Sequence, residues 1–162
     1  LYFDAYPVEN APDRQPTIYR YPELIHALRN LIQNATDFAR TTVWIDAEWS
    51  ETTISVRVSD DGQGYDPTII NRIGDPFLHT KSPATDRTQR PEYEGMGLGL
   101  FIAKTLLERT GARIRFMNGP DAFNPNASMP QHSGAVIEVT WPIHRILATQ
   151  SAGLGENRPI RS

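Results

Sequence analysis

The residues able to do chemistry fall into a few short groups, and the first lies on a helical repeat. His26, Asn30, Asn34 and Asp37 share a polar stripe. At about 100° per residue that stripe is only about 80° wide. It stands apart from a broad apolar face of Leu24, Leu28, Leu31, Ala35, Phe38 and Ala39. Asparagine and aspartate are poor mid-helix residues, because their short side chains compete with the backbone for hydrogen bonds. Their recurrence at i, i+4 and i+7 suits a ligand, although a polar seam between helix and loop gives the same pattern. An amide oxygen is a hard, neutral donor. Magnesium prefers oxygen and takes only one or two protein ligands beside substrate phosphates. One such oxygen can hold a metal that arrives on a nucleotide.

The second group is Asp60-Asp61-Gly62-Gln63-Gly64, which closes an alternating strand. Gly62 and Gly64 let a flat group lie near the backbone. A buried carboxylate at the strand end accepts a hydrogen bond from an exocyclic amine such as that of adenine, whereas guanine presents a carbonyl there. A calcium loop is the competing reading, but no second pair of alternating acids and no closing glutamate follow. The third group is Gly95-Met96-Gly97-Leu98-Gly99-Leu100. Alternate glycines free the backbone N–H groups to face a large anion, and the helix that follows aims its positive end at the same place. Tight packing of a helix start against a strand would also call for glycine. Lys81, in a polar loop, is a flexible point charge within reach of terminal phosphates, or simply a solvated lysine.

The elements that must position these groups follow from pattern. Leu1 to Tyr6 and Pro16 to Arg20 read as short strands flanking a Pro/Asn/Asp-rich loop. Tyr21-Pro22-Glu23 opens a helix that runs to about Arg40. Strands are expected at Thr42 to Trp49 and Thr52 to Ser59, and a short helix capped by Asp66 through Arg72. The stretch 78–94 is long, polar and nearly without apolar anchors, the composition of a lid. A helix from Gly99 stops at Thr110-Gly111, followed by strands Arg113 to Met117 and Ala135 to Trp141. Residues 143–162 read as a loosely ordered tail, so the expected domain is 1–142.

Composition removes several classes. At 162 residues the chain fits one domain, and its formal charge of -3 sets the global field against nucleic acid. The absence of cysteine excludes thiolate zinc sites and a cysteine nucleophile within this sequence. No apolar run approaches the roughly 18 residues of a membrane span, so no membrane contact by this stretch is expected. The abrupt opening in a strand suggests a domain with an upstream partner.

Together, in order and spacing, these groups resemble the nucleotide-binding signature of the GHKL superfamily, which includes sensor histidine kinases, gyrase-type ATPases and Hsp90-type chaperones. Asn30 to Ala35 resembles the N box, Asp60 to Gly64 the first glycine box, Asp75-Pro76-Phe77 the F box, and Gly95 to Leu100 the second glycine box. The resemblance implies a two-layer α/β sandwich, a mixed sheet backed by helices (the Bergerat fold), with ATP and Mg²⁺ as cofactors. Asn34 would ligate Mg²⁺, Asp60 would read the adenine amine, and Lys81 would reach the phosphates. Asp37, Phe38, Gly62, Gly64, Gly95, Met96, Gly97, Leu98, Gly99 and Leu100 would complete the nucleotide contacts, with Asn30, Asn34 and Lys81 acting in catalysis. Within the superfamily the chain resembles the ATP-binding half of a sensor histidine kinase. ATPase branches carry a catalytic glutamate where this chain has Asn30, and an amide is a poor general base. The stretch 91–104 further resembles the RegB/PrrB redox-sensing kinases.

Two departures accompany the resemblance. Asp37 stands where many histidine kinases have a basic residue, and the usual late Gly-Thr pair reads Gly134-Ala135. None of His26, His79, His132 and His144 has the context of a phosphoacceptor. The acceptor is therefore expected on a separate dimerisation domain, with a response regulator downstream, in the cytoplasmic portion of a membrane-anchored kinase. A nucleotide-binding module without chemistry and a self-contained ATPase are the alternatives. A P-loop is absent, a dinucleotide fingerprint would need glycine at Leu100, and no protein-kinase catalytic loop occurs.

Overall fold

A computed structural model describes residues 1–75, 96–119 and 134–147. Five strands form one mixed sheet: β1 (Tyr2–Pro7), β2 (Val43–Trp49), β3 (Thr53–Asp60), β4 (Arg113–Asn118) and β5 (Ala135–Pro142), in the order β1-β2-β3-β5-β4. β1 runs parallel to β2, and the other pairs are antiparallel. The parallel step requires a crossover, supplied by helix α1 (Pro22–Phe38). α1 and α2 (Met96–Arg109) pack on one another and on the same face of the sheet. The two-layer arrangement expected from sequence is the one observed.

Helix α1 forms for local reasons and docks for tertiary ones. Pro22 occupies its first turn, where a missing N–H costs nothing, behind an extended Tyr21. Leu24, Ala27, Leu31 and Ala35 are its buried stripe, against Val43, Ile45, Val58, Leu100 and Leu107. The helix ends at Phe38, two residues before the expected Arg40. The N–H groups of Arg40, Thr41 and Thr42 all donate to the Asp61 carboxylate at 2.9, 3.0 and 3.1 Å, and so cannot continue the helical ladder. α2 ends in a glycine stop. Gly111 adopts φ +86°, its N–H donates to Glu108 O and the N–H of Ala112 returns to Leu107 O.

Four expectations need correction. Pro16 to Arg20 is not a strand; it contributes one isolated bridge, Ile18 to Leu147. The capped helix from Asp66 to Arg72 shrinks to a 3₁₀ turn, Ile70–Arg72, although the Asp66 side chain does cap, accepting the Thr68 N–H and hydroxyl. Helix α2 starts at Met96 rather than Gly99, which puts Gly97 and Gly99 inside its first turn. Residues 143–147 are packed rather than loose. They form α3 (Ile143–Ile146), whose Ile146 is 1% exposed and whose backbone bonds Thr52 and Tyr19.

Candidate nucleotide-binding site

Asp60 is the last residue of β3 and is 2% exposed. Its Oδ1 accepts the N–H of Gly62 at 2.8 Å and of Ala135 at 3.1 Å. Both bonds fall on one oxygen, so among the described residues Oδ2 is left for an incoming donor. Burial raises the Asp60 pKa, the two N–H donors oppose that rise, and the neighbouring charge of Asp61 adds to it. An ionised Asp60 therefore carries a cost that a hydrogen bond from a ligand amine relieves.

The cradle around this carboxylate explains its glycines. A Cβ on Gly62 would overlap the carbonyl oxygen of Phe38, and a Cβ on Gly134 would overlap Asp60 Oδ1. Gly134 also donates its N–H to Asp60 O at 2.9 Å. Gly62 is thus required by the protein's own packing, not only by a ligand lying against it. Gly134 was treated in the sequence only as half of a departing pair, yet it is as deep in the site as Gly62. The signal was its place at the mouth of the alternating strand β5.

Asp61, the next residue, does the opposite work. Burial, the largest single influence, raises its pKa, but the Thr41 hydroxyl and the N–H groups of Thr41, Thr42 and Arg40 together outweigh this and lower it to about 2. It ties the α1–β2 connection to the turn, which sets the height of the C-terminal end of α1 over Asp60.

Asn30 and Asn34 are both half-buried on α1, and among the described residues neither side chain makes a hydrogen bond. Asn34 lies one helical turn before Phe38, whose carbonyl abuts Gly62. Asp37 is exposed and accepts Gln33 Nε2 at 2.7 Å, along the helix surface. Phe38 packs partly into the core. On α2, Leu98 is 61% exposed and Leu100 is buried. A Cβ built on Gly99 meets nothing within 4 Å among the described residues, so no packing demand from them explains that glycine. Starting the helix at Met96 makes the first-turn N–H groups those of the glycine-rich segment itself, including Gly97. Lys81, Gly95 and Phe77, with the expected lid at 78–94, lie outside the described residues.

Two residues escaped the sequence reading. Asn118, at the end of β4, holds Tyr65 by both backbone groups, accepting its N–H at 2.6 Å and donating to its carbonyl at 2.8 Å. Tyr65 is itself 2% exposed and packs edge-on against Phe116.

An α1–α2 layer over a mixed sheet, with a strand-end aspartate under it, defines a class of nucleotide-binding domain. Residues 20–145 match the family of histidine kinase-, DNA gyrase B- and HSP90-like ATPases, and the chain belongs to that family. More particularly, it is 56% identical over 160 residues to the sensor histidine kinase RegB of Cereibacter sphaeroides, covering 99% of this chain and 35% of that protein. The chain thus spans about a third of the length of the RegB relatives it matches. Among solved structures, the catalytic domain of histidine kinase ThkA superposes with a TM-score of 0.58 at 19% identity, covering 87% of this chain and 77% of that one. Full-length ShkA in complex with AMPPNP superposes at 0.55 and 19% identity, covering 91% and 26%. The chain thus belongs to this ATPase family and shares the fold of histidine kinase catalytic domains.

Proposed function

We propose that this domain binds ATP with Mg²⁺ and passes the γ-phosphoryl group to a histidine on a separate dimerisation domain, from which a response regulator is charged. The observation that carries the reading is Asp60: buried, doubly bonded on Oδ1, with Oδ2 left, among the described residues, to accept the exocyclic amine of adenine. Asn34 offers a half-buried amide oxygen to Mg²⁺, and the first-turn N–H groups of α2, at Gly97 and Gly99, offer the phosphates a positive edge. The family resemblance assigns Gly95 and Lys81, outside the described residues, to the phosphates as well. Bound Mg²⁺ would neutralise charge on the phosphates, and the chain's part is positioning. ShkA, which shares the fold, was solved with AMPPNP.

The likeness to RegB supports placing the domain in a redox-responsive kinase, on the cytoplasmic side of a membrane-anchored parent. Among the described residues no helix is long and apolar enough to cross a membrane. Asn30, an amide rather than a carboxylate, favours transfer to a histidine over hydrolysis. The test is calorimetric titration with ATP and GTP, with and without Mg²⁺, followed by labelled-ATP transfer to the dimerisation domain. Magnesium-dependent preference for ATP and a phosphohistidine product are expected. Equal affinity for the two nucleotides would overturn the assignment of Asp60, and ATP binding without phosphohistidine would leave a module without chemistry.

A further inference from the structure

Tyr65 follows Gly64 directly in the turn that Asp60 opens. Its ring is 2% exposed, and its hydroxyl is the buried side-chain polar atom without a hydrogen-bond partner among the described residues. Leaving a buried hydroxyl unpaired is costly, so a tyrosine here rather than a phenylalanine asks for a partner that the described residues do not supply. The residue is not loosely held. Asn118 fixes both its backbone groups, and Phe116 meets its ring edge-on at 6.1 Å and 87°. Asp60 is near enough for its charge, after burial itself, to push the phenol pKa well above its ordinary value. The hydroxyl therefore stays protonated and is a donor. On the facing strand Ala135 gives its N–H to Asp60 and carries only a methyl group, so it adds no hydroxyl.

These facts complement one another at a purine edge. Adenine sets its amine, a donor, beside ring nitrogens that accept. Asp60 Oδ2 takes the donor, and a neighbouring acceptor still needs an O–H or N–H.

We propose that Tyr65 is a second base-reading residue, whose hydroxyl donates, directly or through one water, to a ring nitrogen flanking the amine that Asp60 accepts. The inference rests on the nucleotide reading above and adds a specificity contact to it. The experiment is calorimetry of wild type and Tyr65→Phe with Mg·AMPPNP and with deaza analogues that replace one adenine ring nitrogen at a time by C–H. Wild type is expected to bind AMPPNP, and Tyr65→Phe to bind it about five- to tenfold more weakly, the effect of one neutral hydrogen bond. The empty variant should melt no lower than wild type. One deaza analogue should lose the same factor on wild type and nothing further on Tyr65→Phe. Equal AMPPNP affinity of the two proteins overturns the proposal and leaves the hydroxyl a purely internal group. Indifference of wild type to every deaza analogue also overturns it, even if Tyr65→Phe fails to fold. Wild type that binds no adenine nucleotide removes the nucleotide reading itself, a distinguishable result.

Discussion

Replacing Asp60 by asparagine separates the proposed ligand-reading role of this residue from its structural one. Asparagine keeps an oxygen at the Oδ1 position, so the donors from Gly62 and Ala135 at 2.8 and 3.1 Å retain their acceptor. What changes is the other position, where Oδ2 becomes an NH₂ facing the adenine amine. The loss of a charge-assisted hydrogen bond is worth about 1.5–3 kcal/mol, or roughly 10- to 150-fold in affinity, before donor–donor repulsion is added. Guanine presents a carbonyl at the same place, so the ATP-over-GTP preference should shrink or reverse.

The empty protein should behave differently. The folded pKa of Asp60 is raised above its unfolded value, chiefly by burial. In the window between those two values the native state binds more protons than the unfolded state, so Asp60 lowers stability as pH rises through its folded pKa. Asp60→Asn removes that penalty and should melt no lower than wild type at neutral pH. Adenine binding favours the ionised carboxylate, so wild-type affinity should fall as pH drops through the folded pKa, while the variant shows no such step. Titration calorimetry across pH, paired with thermal melts without nucleotide, reads both effects. Unchanged ATP affinity in a folded Asp60→Asn protein would refute the reasoning.

Three further outcomes follow from the geometry. Gly134→Ala should cost about 1–3 kcal/mol or more, because its methyl group overlaps Asp60 Oδ1 and the strand must shift; Gly99→Ala, whose methyl group meets nothing among the described residues, should raise stability by up to about 1 kcal/mol yet weaken nucleotide binding. Urea unfolding and calorimetry of the pair would expose an error in either half. Asp61 has a folded pKa lowered to about 2, so its contribution is present above the unfolded value and is lost as pH falls toward 2. With its partial exposure discounted, Asp61→Asn should lose about 1 kcal/mol at pH 6, and the two proteins should converge near pH 2 in urea titrations. Ile146→Ala should cost about 2–5 kcal/mol by the same measurement, since Ile146 is 1% exposed; a near-neutral result would return residues 143–147 to the status of a tail.

The sheet, both long helices and the residues that gather beneath them were legible because each rests on a local rule. Periodicity gave α1 its buried stripe of Leu24, Leu31 and Ala35, alternation gave β3, and Gly111 marked the end of α2. What was not legible depends on contacts distant in sequence. No local rule announces that Asp61 will capture the N–H groups of residues 40–42 and cut α1 short, about twenty positions away. The same holds for Ile146. Its burial is decided by where β5 ends in the sheet, while Pro142 and the polar sequence beyond 147 advertise a terminus. Pro16 to Arg20 has the residue types of a strand, but β1 already holds the place beside β2 and leaves it one bridge. Gly134 looked unremarkable because its reason to be glycine, Asp60, lies 74 positions upstream.

The neighbouring aspartates show how the fold turns one residue type into two devices. Alternation along β3 sends Asp60 beneath the helices, where burial raises its pKa and two N–H donors are too few to reverse the rise. Asp61 has left the strand, stays partly solvated and collects four donors, which pull its pKa down to about 2. Asp61 is saturated by the protein, so it fixes the turn and has little left to offer a ligand. Among the described residues Asp60 is undersaturated, held rigid on one oxygen and open on the other, and that deficit is what a ligand can fill. Exchanging the two environments would leave the composition of the turn intact and abolish its proposed use, because the specificity proposed here comes from an incomplete hydrogen-bond shell held in one orientation.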